Sequence, residues 1–121
     1  MAGHKVWMIA DAFYDSHSSG LYNSHESVCV LNTGTVDAVI TMTLYFEDSE
    51  PKTGFISHCA AGRTHHIRMD KIVSASGEKV PMDVPYAILV ESNVDVAVQY
   101  TRLDSAQAEM ALMSVIAYPI G

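Results

Sequence analysis

Hydrophobic and polar residues alternate along much of this chain with a period of two. Between residues 36 and 47 the even positions are Val36, Ala38, Ile40, Met42, Leu44 and Phe46, and the odd ones are Asp37, Val39, Thr41, Thr43, Tyr45 and Glu47. One face is apolar throughout and the other is mostly polar or β-branched. Successive side chains of a strand point to opposite faces, so this pattern predicts a half-buried strand of an antiparallel sheet. A helix would spread the same apolar residues around its circumference. The pattern returns where Val94, Val96, Val98 and Tyr100 alternate with Asp95, Ala97, Gln99 and Thr101. Shorter stretches of the same kind cover residues 6–10, 27–32, 55–59, 64–69 and 86–91. Turn-forming residues separate them: Asn32-Thr33-Gly34, Glu50-Pro51-Lys52-Thr53-Gly54, Ser76-Gly77 and Ser92-Asn93. About eight short strands joined by turns predict an all-β fold, an antiparallel β-sandwich of jelly-roll or immunoglobulin-like type.

Two segments depart from the alternation. Residues 104–113 are compatible with a helix, with Asp104 as N-cap, Gln107 three residues later and good helix formers from Ala106 to Ala111; a helical turn or loop is expected there, and helix and strand both stay open for the segment. Residues 114–118 read as a last strand, expected to pair with the stretch that contains Val94 to Leu103. Residues 11–23, rich in Ser, Asp, Tyr, His and Gly, read as an exposed loop.

Composition narrows the function. With 121 residues the chain is one domain's worth, residues 1–121, enough to bury a single core. Hydrophobic residues make up 49% and charged residues only 17%, which favours self-association to hide apolar surface. Seven Lys and Arg face fourteen Asp and Glu, a net charge of −7. Nucleic-acid binding depends on neutralising phosphates, so this balance argues against it, and against anionic membrane surfaces too. No apolar run is long enough to cross a bilayer, and the first residues lack the long apolar middle of a signal peptide. A cytoplasmic protein is the expectation. Two cysteines, Cys29 and Cys59, do not make a disulfide framework and read as buried thiols.

Three polar stretches could hold chemistry. In Gly62-Arg63-Thr64-His65-His66-Ile67-Arg68, a strand places Thr64, His66 and Arg68 on one face and His65, Ile67 and Met69 on the other. His66 and Arg68 then stand roughly 7 Å apart, a spacing able to hold an anion or a sugar hydroxyl; a solvated outer face is the plainer alternative. His65, on the apolar side, reads as a hydrogen-bonded core histidine. In Gln99-Tyr100-Thr101-Arg102-Leu103-Asp104-Ser105, Gln99 and Thr101 oppose the apolar face. Arg102 and Asp104 fall at a strand end, where the guanidinium fork suits carboxylates or vicinal hydroxyls. Alternatively Arg102 pins a loop by pairing with Asp104 or Glu26. His25 and Glu26 close the irregular segment and open a strand. Trp7, the only tryptophan, is either core or a platform for a sugar ring. A metal site has weak support, because Cys29, Cys59, His58, His65 and His66 show no ligand spacing of a known kind. No nucleophile elbow and no phosphate-cradling glycine loop is present. No metal, cofactor or catalytic role is predicted.

These same stretches resemble the sensory rhodopsin transducer family. The run Ser92-Asn93-Val94, Gln99 to Ser105, Gln107-Ala108-Glu109, Ala111-Leu112, Ser114 and Ile116-Ala117-Tyr118 is similar to its closing third. Residues 24–32, Tyr45-Phe46-Glu47-Asp48 with Glu50-Pro51, residues 63–68 and Trp7 are similar as well, in order and at similar spacing. The resemblance implies a small soluble β-sandwich that assembles as a homotetramer. It also implies contact with a membrane photoreceptor at its cytoplasmic face, while related domains suggest sugar-like ligands. The family's shared polar positions fall on His25, Glu26, Arg63, His66, Arg68, Gln99, Thr101, Arg102 and Asp104. Asp95, Met110 and the loop 11–23 depart from the family pattern. The expectation is a non-enzymatic binding module whose polar residues gather in one shared recess. Two readings remain: a transducer that contacts a photoreceptor or downstream partner, or a domain that binds a sugar-like or anionic small molecule.

Overall fold

The computed structural model describes residues 3–18, 23–105 and 111–121. These residues form eight strands: β1 (His4–Phe13), β2 (His25–Asn32), β3 (Ala38–Phe46), β4 (Lys52–Cys59), β5 (Arg63–Arg68), β6 (Pro85–Asp104), β7 (Ala111–Ile116) and β8 (Tyr118–Ile120). Every pairing between them is antiparallel. One sheet runs β4-β3-β6-β1-β8 and the other β5-β2-β6-β7. The fold is therefore all-β and sandwich-like, as the alternation predicts.

Strand β6 joins the two sheets. It is 20 residues long. From Pro85 to Ser92 it pairs with β1 and β3, its Val96 still meets His4 of β1, and from Ala97 to Asp104 it pairs with β2 and β7. The sequence predicts two strands here with a turn at Ser92-Asn93; the structure corrects this to one strand. The register with β1 shifts between His4 and Val6, opposite this point. Asn93 Oδ1 accepts the Val39 N–H at 2.7 Å and Ser92 Oγ accepts the Val94 N–H at 3.2 Å. Side chains that signal a turn here satisfy backbone donors where β6 leaves one ladder for the other.

Inward-facing residues of both sheets meet in one core. In β3 the residues Ala38, Ile40, Met42 and Leu44 are fully buried, whereas Val36 lies before the strand and is exposed. Val28 and Val30 of β2 and Val96, Val98 and Tyr100 of β6 close the core from the other sheet. In β1 the apolar parity changes after Ile9, because a register shift precedes Ala12. That irregularity explains why Asp11, Ala12 and Phe13 read as loop in the sequence although they belong to β1. Gly3, just before β1, has φ +108°, and a Cβ there would lie 2.2 Å from the Val96 carbonyl oxygen, so only glycine fits.

The helical turn or loop expected within 104–113 is a second correction at its two ends. Asp104 ends β6, and Ala111 to Met113 open β7; residues 106–110 lie outside the described residues. Strand β7 pairs with the Gln99–Asp104 edge of β6. An open sheet edge offers a row of backbone partners, and that tertiary gain outweighs a helix propensity worth tenths of a kcal/mol per residue. His65 is the third: it sits on edge strand β5 and is exposed, although its register partner Val30 is buried. Among the described residues no helix is long and apolar enough to cross a membrane.

Candidate functional site

The candidate residues divide into separate places rather than one recess. The first is a recess of about 290 Å³ at the end of β2 and β6, lined by Asp11, Phe13, Asp15, Ser24, His25, Arg102, Leu103 and Asp104. Pairing of β2 with β6 sets His25 opposite Leu103 and Glu26 opposite Arg102. The His25 Nδ1–H donates to the Asn23 carbonyl at 2.9 Å, which leaves Nε2 as the other polar edge of the ring. Among the described residues no carboxylate forms an ion pair with Arg102. The loop-pinning pairs Arg102–Asp104 and Arg102–Glu26 are therefore not formed. Ser24 fixes the rim: its Oγ–H donates to the His17 carbonyl at 2.7 Å and its oxygen accepts the Ser105 N–H at 3.0 Å.

Behind this recess lies a buried carboxylate. Glu26 is 1% exposed. Its Oε1 accepts the Tyr86 hydroxyl at 2.6 Å, and its Oε2 accepts the Phe13 N–H at 2.9 Å and the Tyr100 hydroxyl. Burial first, and then the charge of Glu26, push both phenols far above the ordinary tyrosine value. The cluster links β2 of one sheet to β1 and the first half of β6 in the other. Glu26 is thus a cross-sheet clamp, sealed from any ligand. Trp7 is likewise a correction: it is 4% exposed, and its indole N–H donates to the His4 and Val96 carbonyls at 3.0 and 3.1 Å. Neither face is free to stack on a sugar.

The second place is the outer face of the β5-β2-β6-β7 sheet. There His66, Cys29, Gln99 and Ile116 stand in one cross-strand row. With Thr64 they line a shallow recess of about 240 Å³. One row along, Ser114 Oγ accepts the Gln99 Nε2–H at 2.7 Å and lies 3.0 Å from the Thr101 hydroxyl. Gln99 and Thr101 thus tie β7 to β6. Arg68 is committed elsewhere. Its Nε and Nη2 donate to the two oxygens of Asp70, both at 2.8 Å. Burial alone pushes the Asp70 carboxyl up, but the Arg68 hydrogen bonds and charge bring it below the ordinary value. Arg63 is exposed, and its Nη1 donates to the Gly62 carbonyl of its own turn at 3.0 Å.

Several lining residues escaped the sequence reading. Asp11, Phe13 and Asp15 sat in the stretch read as loop. Tyr86 and Tyr100 carried one usable signal, since a tyrosine on an inward strand face needs a partner for its hydroxyl. Asp15, His17 and Asp83 bring ligand atoms within 4.8 Å of one another. Their oxygens already serve the segment: Asp15 Oδ1 accepts the His17 N–H at 2.8 Å and Asp83 Oδ1 the Ser16 N–H at 2.9 Å. This exposed group works as a clasp on residues 15–17.

Chemically, the Arg102 recess mixes donors (Arg102, His25) with carboxylate acceptors (Asp11, Asp15, Asp104) beside a phenyl ring, Phe13. Such a set can satisfy a ligand that both donates and accepts hydrogen bonds.

No curated protein has a matching sequence. Among solved structures, a Thermotoga maritima protein described as 1070 is similar, at 35% identity and a TM-score of 0.88. The match covers 99% of this chain and 97% of that one. The Anabaena sensory rhodopsin transducer is similar at 37% identity and a TM-score of 0.74, covering 88% of this chain and 93% of its own. Residues 2–119 match the family described as Anabaena sensory rhodopsin transducer. The family match and the structural likeness agree, and the chain belongs to the Anabaena sensory rhodopsin transducer family.

Proposed function

We propose that this chain is a cytoplasmic, non-enzymatic signal-transducing module that binds a membrane photoreceptor or a downstream partner. A small polyhydroxylated or anionic ligand in the Arg102 recess biases that contact. The observation that supports the recess as the ligand site is Arg102 itself. Its guanidinium borders the recess with His25 and Asp104, without an ion-pair partner among the described residues. A ligand that favours one conformational state shifts partner binding by its differential affinity for the two states. Phe13 and Arg102 couple the recess to the fold, since Phe13 donates its N–H to Glu26 and Arg102 stands opposite Glu26. The photoreceptor comes from the name of the Anabaena relative and is carried to this chain as part of the proposal.

A second reading, a sugar-binding domain with a metabolic role, is favoured by the mix of carboxylates and arginine beside Phe13. A homotetramer is proposed as well. It is supported by the apolar side chains of Leu112, Ile116 and Tyr118, each more than 70% exposed. Light scattering of the eluted protein tests that assembly.

Thermal unfolding in the presence of glucose, galactose, gluconate or glucuronate tests the recess. Binding raises the melting point by mass action. The expected result is a rise in the parent and none in Arg102→Ala, with the same assembly and starting fold. A rise of equal size in Arg102→Ala removes Arg102 from the site. Binding to a sensory rhodopsin in nanodiscs, dark and illuminated, separates the transducer reading from the metabolic one.

A further inference from the structure

A second pair of recesses lies at the start of β6, lined by residues that do not include Arg102. One, of about 270 Å³, has a floor of two small residues, Ala10 and Ala87. Tyr45 stands beside Ala87 in register across β3 and β6, and the residue is 44% exposed. The same recess is bordered by Glu47 and by Asp11, which also borders the Arg102 recess. The other, of about 300 Å³, is lined mainly by apolar groups that include Val84 and Pro81, with Asp48 at its edge. Phe46, Glu47 and Pro85 border both recesses, so the two are contiguous.

The chemistry of the pair is one-sided. Exposed carboxylates at Asp11, Glu47 and Asp48 surround an aromatic ring on one side and an apolar trough on the other. The lining cation, Lys52, gives its ammonium to Glu78. An exposed tyrosine ring flanked by carboxylates attracts a cation by its π-face and by charge. A floor of alanines leaves room for the methylene stem of a long basic side chain. The neighbouring trough takes an apolar side chain next to it. A lone anion or a sugar acid is repelled here, and a net charge of −7 extends the same preference over the whole chain.

We infer that this acid-rimmed double recess docks an extended polypeptide segment of a partner protein, one that presents an arginine or lysine next to an apolar side chain. The inference deepens the partner half of the proposed function and rests on that reading. Cytoplasmic segments of membrane proteins are enriched in Lys and Arg, so such a partner has the complementary charge. Arg102 does not line this surface, although Asp11 borders both, so ligand and partner occupy adjoining but different recesses.

Fluorescence anisotropy with a dye-labelled, end-capped peptide of alternating arginine and leucine tests this. Peptides of glutamate and leucine, and of arginine and glycine, serve as controls. The arginine–leucine peptide is expected to bind best and to weaken as salt is raised. Its affinity should fall about tenfold in Tyr45→Ala and in the double variant Glu47→Gln/Asp48→Asn, and stay unchanged in Arg102→Ala. Amide shifts on titration should centre on Tyr45, Phe46 and Ala87. Equal binding of the glutamate–leucine peptide, unchanged affinity in the charge-neutral double variant, or shifts confined to the Arg102 recess would each overturn the docking surface. Equal binding of the arginine–glycine peptide would reduce it to a simple cation site and overturn the proposal. If rhodopsin binding survives Glu47→Gln/Asp48→Asn intact, the transducer reading stands and this surface alone falls.

Discussion

Removing one oxygen atom, in Tyr100→Phe, measures how firmly the buried carboxylate holds the two sheets together. Tyr100 is fully buried, and its hydroxyl donates to Glu26 Oε2. The substitution leaves the ring's shape intact, so the cavity cost is small. The loss is a hydrogen bond to a charged acceptor, about 1.5–3 kcal/mol net. Glu26 keeps the Phe13 N–H at 2.9 Å and the Tyr86 hydroxyl at 2.6 Å, which places the expected cost near about 2 kcal/mol. Tyr86→Phe should cost a similar amount. The double variant leaves a carboxylate that is 1% exposed with one backbone donor, and its cost should exceed the sum, reaching about 5 kcal/mol. Urea unfolding at fixed protein concentration and neutral pH gives these values from the midpoint at constant slope. A Tyr100→Phe cost below about 0.5 kcal/mol, or costs that simply add, would refute the clamp. The pH dependence gives a second check. Burial and then the charge of Glu26 raise both phenols in the folded state above the ordinary 10.0. A raised folded value means a contribution complete below pH 10.0 and lost as the pH climbs beyond it. The parent should therefore lose stability steeply in alkali, and the double phenylalanine variant much less.

Two further outcomes follow from side chains the site does not use. Asn32 is fully buried; its Nδ2–H groups donate to the Val36 and Cys59 carbonyls at 2.9 and 3.1 Å, and its Oδ1 accepts the Gly34 N–H at 3.0 Å. Asn32→Ala orphans these groups and should cost about 2–3 kcal/mol in urea unfolding; a cost under about 1 would mean that water replaces the side chain. Asp70 is held below its ordinary 3.8 in the folded state, so its contribution is present above that pH and lost as the pH falls through the folded value. Asp70→Asn should remove about 1 kcal/mol at neutral pH and flatten the acid limb of the stability curve; an unchanged acid limb would show that the Arg68 pair is not its source.

Much of the framework was legible because a strand writes its two faces into alternate residues. Ala38, Ile40, Met42 and Leu44 of β3 and the Val96, Val98, Tyr100 series of β6 are buried where the pattern put them, and Phe46 packs partly buried against the core. Turn residues worked where the chain truly reverses, as at Asn32 and Gly34. They failed at Ser92-Asn93, because the same polar side chains can satisfy backbone donors inside a long strand that changes sheets. Residues 111–113 failed for a related reason: helix propensity is local, and the free edge of β6 is not visible from the residues that pair with it.

The candidate site divides along the same line. The sequence alone determined which residue types stand on which strand face, and so put His66 on one face with Thr64 and Arg68, and Arg102 at a strand end; the row of His66, Cys29 and Gln99 came only from strand pairing. Only the tertiary structure decided their partners. It sealed Glu26 under Tyr86 and Tyr100, committed Arg68 to Asp70, sank Trp7 into the core and brought Asp11 and Asp15 around Arg102. The physical reason is reach. Alternation is set by the chain's own backbone over neighbouring residues, whereas burial and pairing depend on which distant strand the sandwich lays across them.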